Sequence, residues 1–214
     1  MRVAGLLITV EGVEGSGKTT QCRLLAQWLR GLGYRVRETS EPDGTPLGVA
    51  IRDLFEQDGA PFTPLTEAFL FMAARQQHVA QVIKPAVDSG EIIVSDRYAD
   101  ATLAYQGYGR GLDLQTIREL NALATGGVLP DLTLVLDLDA ALGLKRLGNR
   151  ARDAFEKLDF AFHHRVRQGY LEIAREEKDR IAVLDADRPE EPVHAEIRKA
   201  VGELLRQRGL AHGV

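Results

Sequence analysis

Eight consecutive residues, Gly12-Val13-Glu14-Gly15-Ser16-Gly17-Lys18-Thr19, carry the plainest chemistry in the sequence. The three glycines let the backbone turn with several N–H groups aimed at one centre, a concave nest for an anion. Lys18 adds a mobile point charge within reach of β- and γ-phosphates, and the Thr19 hydroxyl is a hard oxygen ligand for Mg²⁺. The apolar run 6–10 precedes this loop and a helical pattern from Thr20 to Arg30 follows it. The helix N-terminus therefore adds its partial positive charge to the nest. Strand, loop and helix in this order, with the spacing G-x-x-x-x-G-K-[ST], describe a nucleoside triphosphate site. An ordinary glycine-rich turn with an incidental lysine fits all eight positions badly.

Other residues have the right type but a weaker context. Ile92-Ile93-Val94-Ser95-Asp96 reads as a strand that ends in a carboxylate, and Asp96 there can share Mg²⁺ with Thr19, directly or through water. Arg97 beside it suits bidentate binding of a second phosphate, or a surface salt bridge. Phe71 and Arg75 are four apart in a helical pattern and share a face. An aromatic face with a fork of donors beside it suits a nucleobase; on spacing alone, a core phenylalanine next to an exposed arginine is the more ordinary reading. Arg150 and Arg152 lie in the polar connection Gly148–Asp153. They either swing over a triphosphate as arginine fingers do or stay solvated.

The elements that must position these residues follow from patterning. At 214 residues the chain fits one α/β domain spanning 1–214, with no repeat or linker to mark a second. Five apolar runs read as buried strands, at 6–10, 34–38, 92–95, 132–138 and 181–184, with helical patterns between them. That alternation predicts a parallel sheet covered on both faces, with ligands at the strands' carboxyl ends. A long helix is expected from Pro64 to about Val87, kinked or ended by Pro85. The stretch from Leu103 to Gly111 has a Tyr-Gln-Gly core and precedes a helix expected from about Asp113 to Thr125. Asp139 is the expected N-cap of a helix from Ala140.

Net charge is −4, so no overall field draws in nucleic acid. The lone cysteine, Cys22, sits among leucines of the first helix and reads as packing rather than a nucleophile, in a reducing compartment. There is no signal-peptide pattern, and no apolar stretch nears the ~20 residues that span a bilayer. A cytoplasmic protein without a membrane partner is expected.

Taken together the motifs resemble the thymidylate kinase family, of the bacterial type, almost end to end. The resemblance is carried by 11–21 (EGVEGSGKTTQ), Glu41-Pro42 with Gly44–Gly48, FMAAR at 71–75 with His78, and Asp96-Arg97-Tyr98. Ala104-Tyr105-Gln106-Gly107, 165–171 and Asp185-Ala186 complete it. It implies a P-loop NTPase three-layer sandwich, with a five-stranded parallel sheet and helices on both faces. The implied reaction is Mg²⁺-assisted transfer of the γ-phosphate of ATP to dTMP, by a homodimer. It also implies residue roles. Thr20, Asp185 and Ala186 would join the ATP site. Glu41, Pro42, Phe71, Arg75, Arg97, Thr102, Tyr105 and Gln106 would hold dTMP, with Phe71 stacked on thymine, Arg75 bonded to its edge and Tyr105 against the deoxyribose. Glu14 and Arg97 would position the monophosphate, while Arg150 and Arg152 would serve as catalytic cations of a lid at about 148–156. Departures from the family pattern fall at Ser40, Asp43, Ala101 and Ala154. The readings that compete are a P-loop kinase for another nucleotide or nucleoside, and a non-kinase nucleotide-dependent switch.

Overall fold

A computed structural model describes residues 5–56, 62–148, 155–156 and 158–210. Its centre is a five-stranded parallel sheet of order β2-β3-β1-β4-β5. The strands are β1 (Leu6–Glu11), β2 (Val36–Ser40), β3 (Ile92–Asp96), β4 (Leu132–Asp137) and β5 (Ile181–Asp185). All pairings are parallel. β1, in the middle, is buried along its whole length, and β3 and β4 beside it are nearly so. A strand covered on both faces must be apolar throughout, which is why these runs stand out in the sequence.

The expectation of five buried strands holds for the inner three only. β2 is half-buried to exposed and starts two residues later than expected, and β5 is buried only at Ile181 and Leu184. Both are edge strands, with a neighbour on one side.

Alternation along the strands divides the core. Leu6, Ile8, Val10, Ile92 and Val94 join the larger cluster, with Cys22, Leu25 and Leu29 of α1 (Lys18–Gly31) and Ile197 and Val201 of α9 (Glu190–Gln207). Leu7 and Ile93 point the other way, onto Val79, Ile83 and Ala86. Full burial of each aliphatic side chain contributes about 1.5–3 kcal/mol relative to exposure. Cys22 is buried as expected, and burial pushes its thiol well above the usual range.

The remaining helices are α2 (Pro46–Glu56), α3 (Pro64–His78), α4 (Lys84–Asp88), α5 (Ala99–Thr102), α6 (Leu114–Thr125), α7 (Ala140–Arg146) and α8 (Phe160–Glu176). Pro85 does not end the long helix. The chain widens into a π-helical stretch, Val79–Ile83, and continues as α4 with Pro85 in its first turn. Proline lacks the N–H that an interior turn would use, and the wider turn absorbs that loss. Residues 103–109 are helical too. α5 runs on into a second π-helical stretch, Leu103–Gly109, whose buried face carries Tyr105 and Gln106. Asp139 caps α7 as expected, accepting from the N–H groups of Ala141 and Leu142.

Register sets the rim. Val10 pairs with Asp96, and Asp96 with Ser40, so β2 and β3 end level, β1 runs one residue further, and their following loops open onto one crevice. The chain turns to opposite sides of β1 with β3 and β4, the switch point where α/β sheets bind ligands.

Candidate active site

The phosphate nest is built as its sequence requires. Gly12, Gly15 and Gly17 have φ of 143°, 71° and 94°, values that strain any side chain. A Cβ at Gly15 would also lie 2.2 Å from the carbonyl oxygen of Gly143 in α7. Gly17 caps α1 without a side chain, leaving the first N–H groups of the helix for an anion. Lys18 is buried, and its Nζ donates to the carbonyls of Gly12 (3.1 Å) and Val13 (2.9 Å). Burial lowers the pKa of its ammonium, with Glu14, Asp96 and Glu11 acting against that. The Ser16 hydroxyl is buried without a partner among the described residues. The Thr19 hydroxyl donates to Asp96 Oδ2 at 2.6 Å, so the two proposed metal ligands already touch.

Around Arg97 the backbone is forced. Its φ is 71°, the only positive value at a non-glycine among the described residues, at a cost of about 1–3 kcal/mol. The chain is pinned on both sides: Arg97 N–H donates to Val10 O (3.0 Å) and Tyr98 N–H to Glu11 Oε1 (2.7 Å). Arg97 Nη2 then meets Glu14 Oε1 at 2.5 Å, and its guanidinium lies 4.8 Å from the centre of the Tyr105 ring. Tyr105 OH donates to the same Glu14 oxygen at 2.7 Å. Burial alone would raise the Glu14 carboxyl. The charges of Arg97 and Lys18, with bonds from Tyr105 and Arg97, outweigh it and hold the pKa at about 2. Glu11, beneath the loop, goes the opposite way. Burial and the charge of Asp100 push it up to about 8, although Tyr170 OH (2.8 Å) and Tyr98 N–H donate to it.

A cavity of about 690 Å³ joins this nest to an aromatic slot. Glu14, Lys18, Thr19, Glu41, Pro42, Phe71, Arg75, Asp96, Arg97, Thr102, Tyr105 and Gln106 all line it. The arrangement of Phe71 and Arg75 reverses the bland expectation of a core phenylalanine beside an exposed arginine. Phe71 is half-buried and Arg75 is 2% exposed. All five N–H groups of Arg75 have acceptors. Nε and Nη2 bond Glu41 Oε2 (2.9 and 2.6 Å), Nη2 also the Tyr98 carbonyl (2.9 Å), and Nη1 both Thr102 Oγ1 (2.9 Å) and Asn121 Oδ1 (2.8 Å). A base edge that meets Arg75 would therefore have to share an engaged N–H. Glu41 is further held by His78 Nδ1 at 3.2 Å.

Asp185 and Ala186 do not line this cavity. Ala186 is buried, with its N–H on Asp137 O (2.8 Å) and its carbonyl accepting from Arg146 Nη1 (3.0 Å). Arg146 does line the cavity, so that segment meets the site through it. Arg150 and Arg152 lie outside the described residues, as do Ala154 and most of the expected lid.

Sequence reasoning missed several cavity residues. Phe55 of α2 stacks on Phe71 at 5.0 Å and 8°, and Phe155 packs against both rings. Arg52, four residues before Glu56 on the same helix, answers the acid introduced at Asp43 with a 2.5 Å bond. The helical spacing of Arg52 and Phe55 was available as a signal, but nothing local says that α2 faces the nest.

A parallel sheet ordered around β1, an uncapped helix behind a glycine-rich nest, a touching Thr–Asp pair and an adjoining aromatic slot define a P-loop phosphotransferase. Comparison with known proteins narrows this. The family model described as thymidylate kinase matches residues 10–197. A thymidylate kinase of Deinococcus radiodurans is 50% identical over 200 residues, covering 93% of this chain and 97% of that one. Another, of Desulfovibrio desulfuricans, is 44% identical over 213 residues, covering 95% and 98%. The crystal structure of thymidylate kinase from Ehrlichia chaffeensis superposes with a TM-score of 0.77 at 35% identity, over 92% of this chain and 99% of that one. The chain belongs to the thymidylate kinase family.

Proposed function

We propose that one cavity holds both substrates, with the donor's phosphates in the nest and the acceptor's base in the aromatic slot. The chain is an ATP-dependent kinase that transfers the γ-phosphate of ATP to dTMP, giving dTDP and ADP. The observation that carries the division of labour is continuity. The same cavity is walled by Lys18 and Thr19 at one end and by Phe71 and Gln106 at the other, with Arg97 and Tyr105 between.

In this reading the loop N–H groups, from Gly12 to Thr20, cradle the donor, and Lys18 leaves the loop carbonyls for the bridging oxygens. Arg97, held by Glu14 and the Tyr105 ring, positions the acceptor phosphate in line with the γ-phosphate. The Thr19–Asp96 oxygen pair suits Mg²⁺. That ion prefers oxygen ligands and completes its shell with water and phosphate rather than with a protein cage. Among the described residues no cluster of three or more acidic, His or Cys side chains forms such a cage. When bound, the ion neutralises charge on the transferring phosphoryl group. Arg150 and Arg152 supply further positive charge there.

The assembly we propose is a homodimer without a nucleic-acid partner. Its support is a set of exposed apolar side chains on three adjoining helices: Leu47 and Leu54 of α2, Leu65 and Phe69 of α3, and Leu123 of α6. No helix among the described residues is long and apolar enough to cross a membrane, and the proposed location is the cytoplasm.

A coupled assay of ADP release, with and without dTMP, tests the reading. Release that depends on dTMP is expected. Release at the same rate without it would favour a nucleotide-dependent switch, and preference for another acceptor would favour a different small-substrate kinase.

A further inference from the structure

Behind the base end of the cavity lies a buried acid that the reaction above leaves unused. Glu67 of α3 is 4% exposed and does not line the cavity. Arg110, just past the second π-helical stretch, holds it with two bonds, Nη2 to Oε1 at 2.6 Å and Nε to Oε2 at 3.0 Å. Arg110 is itself fixed, its guanidinium 5.1 Å from the centre of the Phe162 ring and 5.9 Å from that of Phe155. Gln106 Nε2 donates to Glu67 Oε2 at 3.5 Å.

This geometry decides which way the Gln106 amide faces. A carboxylate only accepts, so the NH₂ end of the amide must lie toward Glu67. Turned over, the amide would set its carbonyl oxygen against a charged oxygen in a site of low polarity. Gln106 lines the cavity, and its Oε1 has no donor among the described residues. The end of the amide left for a ligand is therefore an acceptor.

That polarity bears on which base is taken. Thymine carries a proton at N3, whereas cytosine carries a lone pair at N3 and an amino group at C4. A freely turning amide would pair with either ring; a fixed carbonyl pairs with the N–H and repels the lone pair. We propose that Glu67, braced by Arg110, is a positioning residue that locks the Gln106 carbonyl toward the substrate's base and so selects a pyrimidine protonated at N3. The inference rests on the reading that the Phe71–Gln106 end receives that base.

Kinetics on dTMP and dCMP with Glu67→Gln and Glu67→Asp, together with KM for ATP, test it. Glu67→Gln offers Gln106 an amide that pairs in either orientation. Glu67→Asp keeps the charge for Arg110, whose side chain is 26% exposed and can follow, but withdraws the carboxylate from Gln106 by one methylene. Both variants should lower the dTMP:dCMP ratio of kcat/KM by roughly tenfold or more, with KM for ATP unmoved. Equal losses on both substrates, with the ratio intact, would make Glu67 a structural brace and overturn the inference. If Glu67→Gln does not fold, Glu67→Asp decides alone. Wild-type protein that ignores dTMP would overturn the parent reading and this inference together, whereas selective wild type with unselective control by Glu67 overturns only this one.

Discussion

The two ends of the cavity are prepared in opposite ways. At the phosphate end the polar groups stand ready: Ser16 has no partner among the described residues, α1 has no side-chain cap, and Lys18 rests on two loop carbonyls. At the base end the groups are committed: all five N–H groups of Arg75 are bonded, Glu41 is taken by Arg75 and His78, and Glu67 by Arg110. The chemistry of the two ligand parts accounts for the contrast. A phosphate is recognised by charge, which acts over distance and tolerates a mobile lysine. A base is recognised by shape and hydrogen-bond pattern, so the donors and acceptors must be held before it arrives. Disrupting the base end should therefore register first as lost stability, and disrupting the phosphate end as lost rate.

The largest effect is expected from Arg75→Ala. Removing one partner of a buried ion pair strands the other, and Glu41 has 5% side-chain exposure. The loss should be about 3–5 kcal/mol, a fall in Tm of roughly 6–20 °C for a chain of this size, read by calorimetry without substrate. Lys18→Ala should do the reverse. Its kcat/KM should fall by roughly a hundredfold or more, about 2.7 kcal/mol. Its Tm should stay close to wild type, because burying that ammonium is itself unfavourable. Equal losses of stability and rate in both variants would erase the distinction between the ends.

The same contrast explains what the sequence reveals. The nest is contiguous, so the spacing of Gly12 to Thr19 specifies its geometry, and the inner strands are legible because burial on both faces demands unbroken apolar runs. The base end is assembled from β2's loop, α2, α3, the second π-helical stretch and α6, and no local pattern reports such a meeting. Phe71 and Arg75 were visible as a pair, but their relative burial was set by Glu41, Thr102 and Asn121, 34, 27 and 46 residues away. The helical character of 103–109 is hidden in the sequence because Gly107 and Gly109 are poor helix formers. Packing overrides that: a Cβ at Gly109 would lie 2.7 Å from the Phe162 ring and one at Gly107 2.7 Å from Leu114. Those glycines are there to let α6 and α8 approach.

Tyr105 sits where the two ends meet and sharpens the comparison with the smallest effect. Its hydroxyl belongs to the phosphate end, bonded to Glu14 at 2.7 Å, while its ring belongs to the base end. That ring is 6% exposed and is wedged edge-on among Phe155, Phe162 and Tyr170, with centroids 6.0–6.3 Å away. A ring so confined cannot retreat, and if it fills the space beside the sugar a ribose 2′-OH meets a clash and no partner. Tyr105→Ala should then reduce the preference for dTMP over its ribo analogue by about 1–3 kcal/mol in kcat/KM. Tyr105→Phe keeps the ring and removes only the bond to Glu14, so the sugar preference should survive while phosphoryl transfer slows. Steady-state kinetics on both acceptors separates the two roles. Loss of sugar preference in the phenylalanine variant would assign discrimination to the hydroxyl, and the division between a charged end and a shaped end would fail at the residue that joins them.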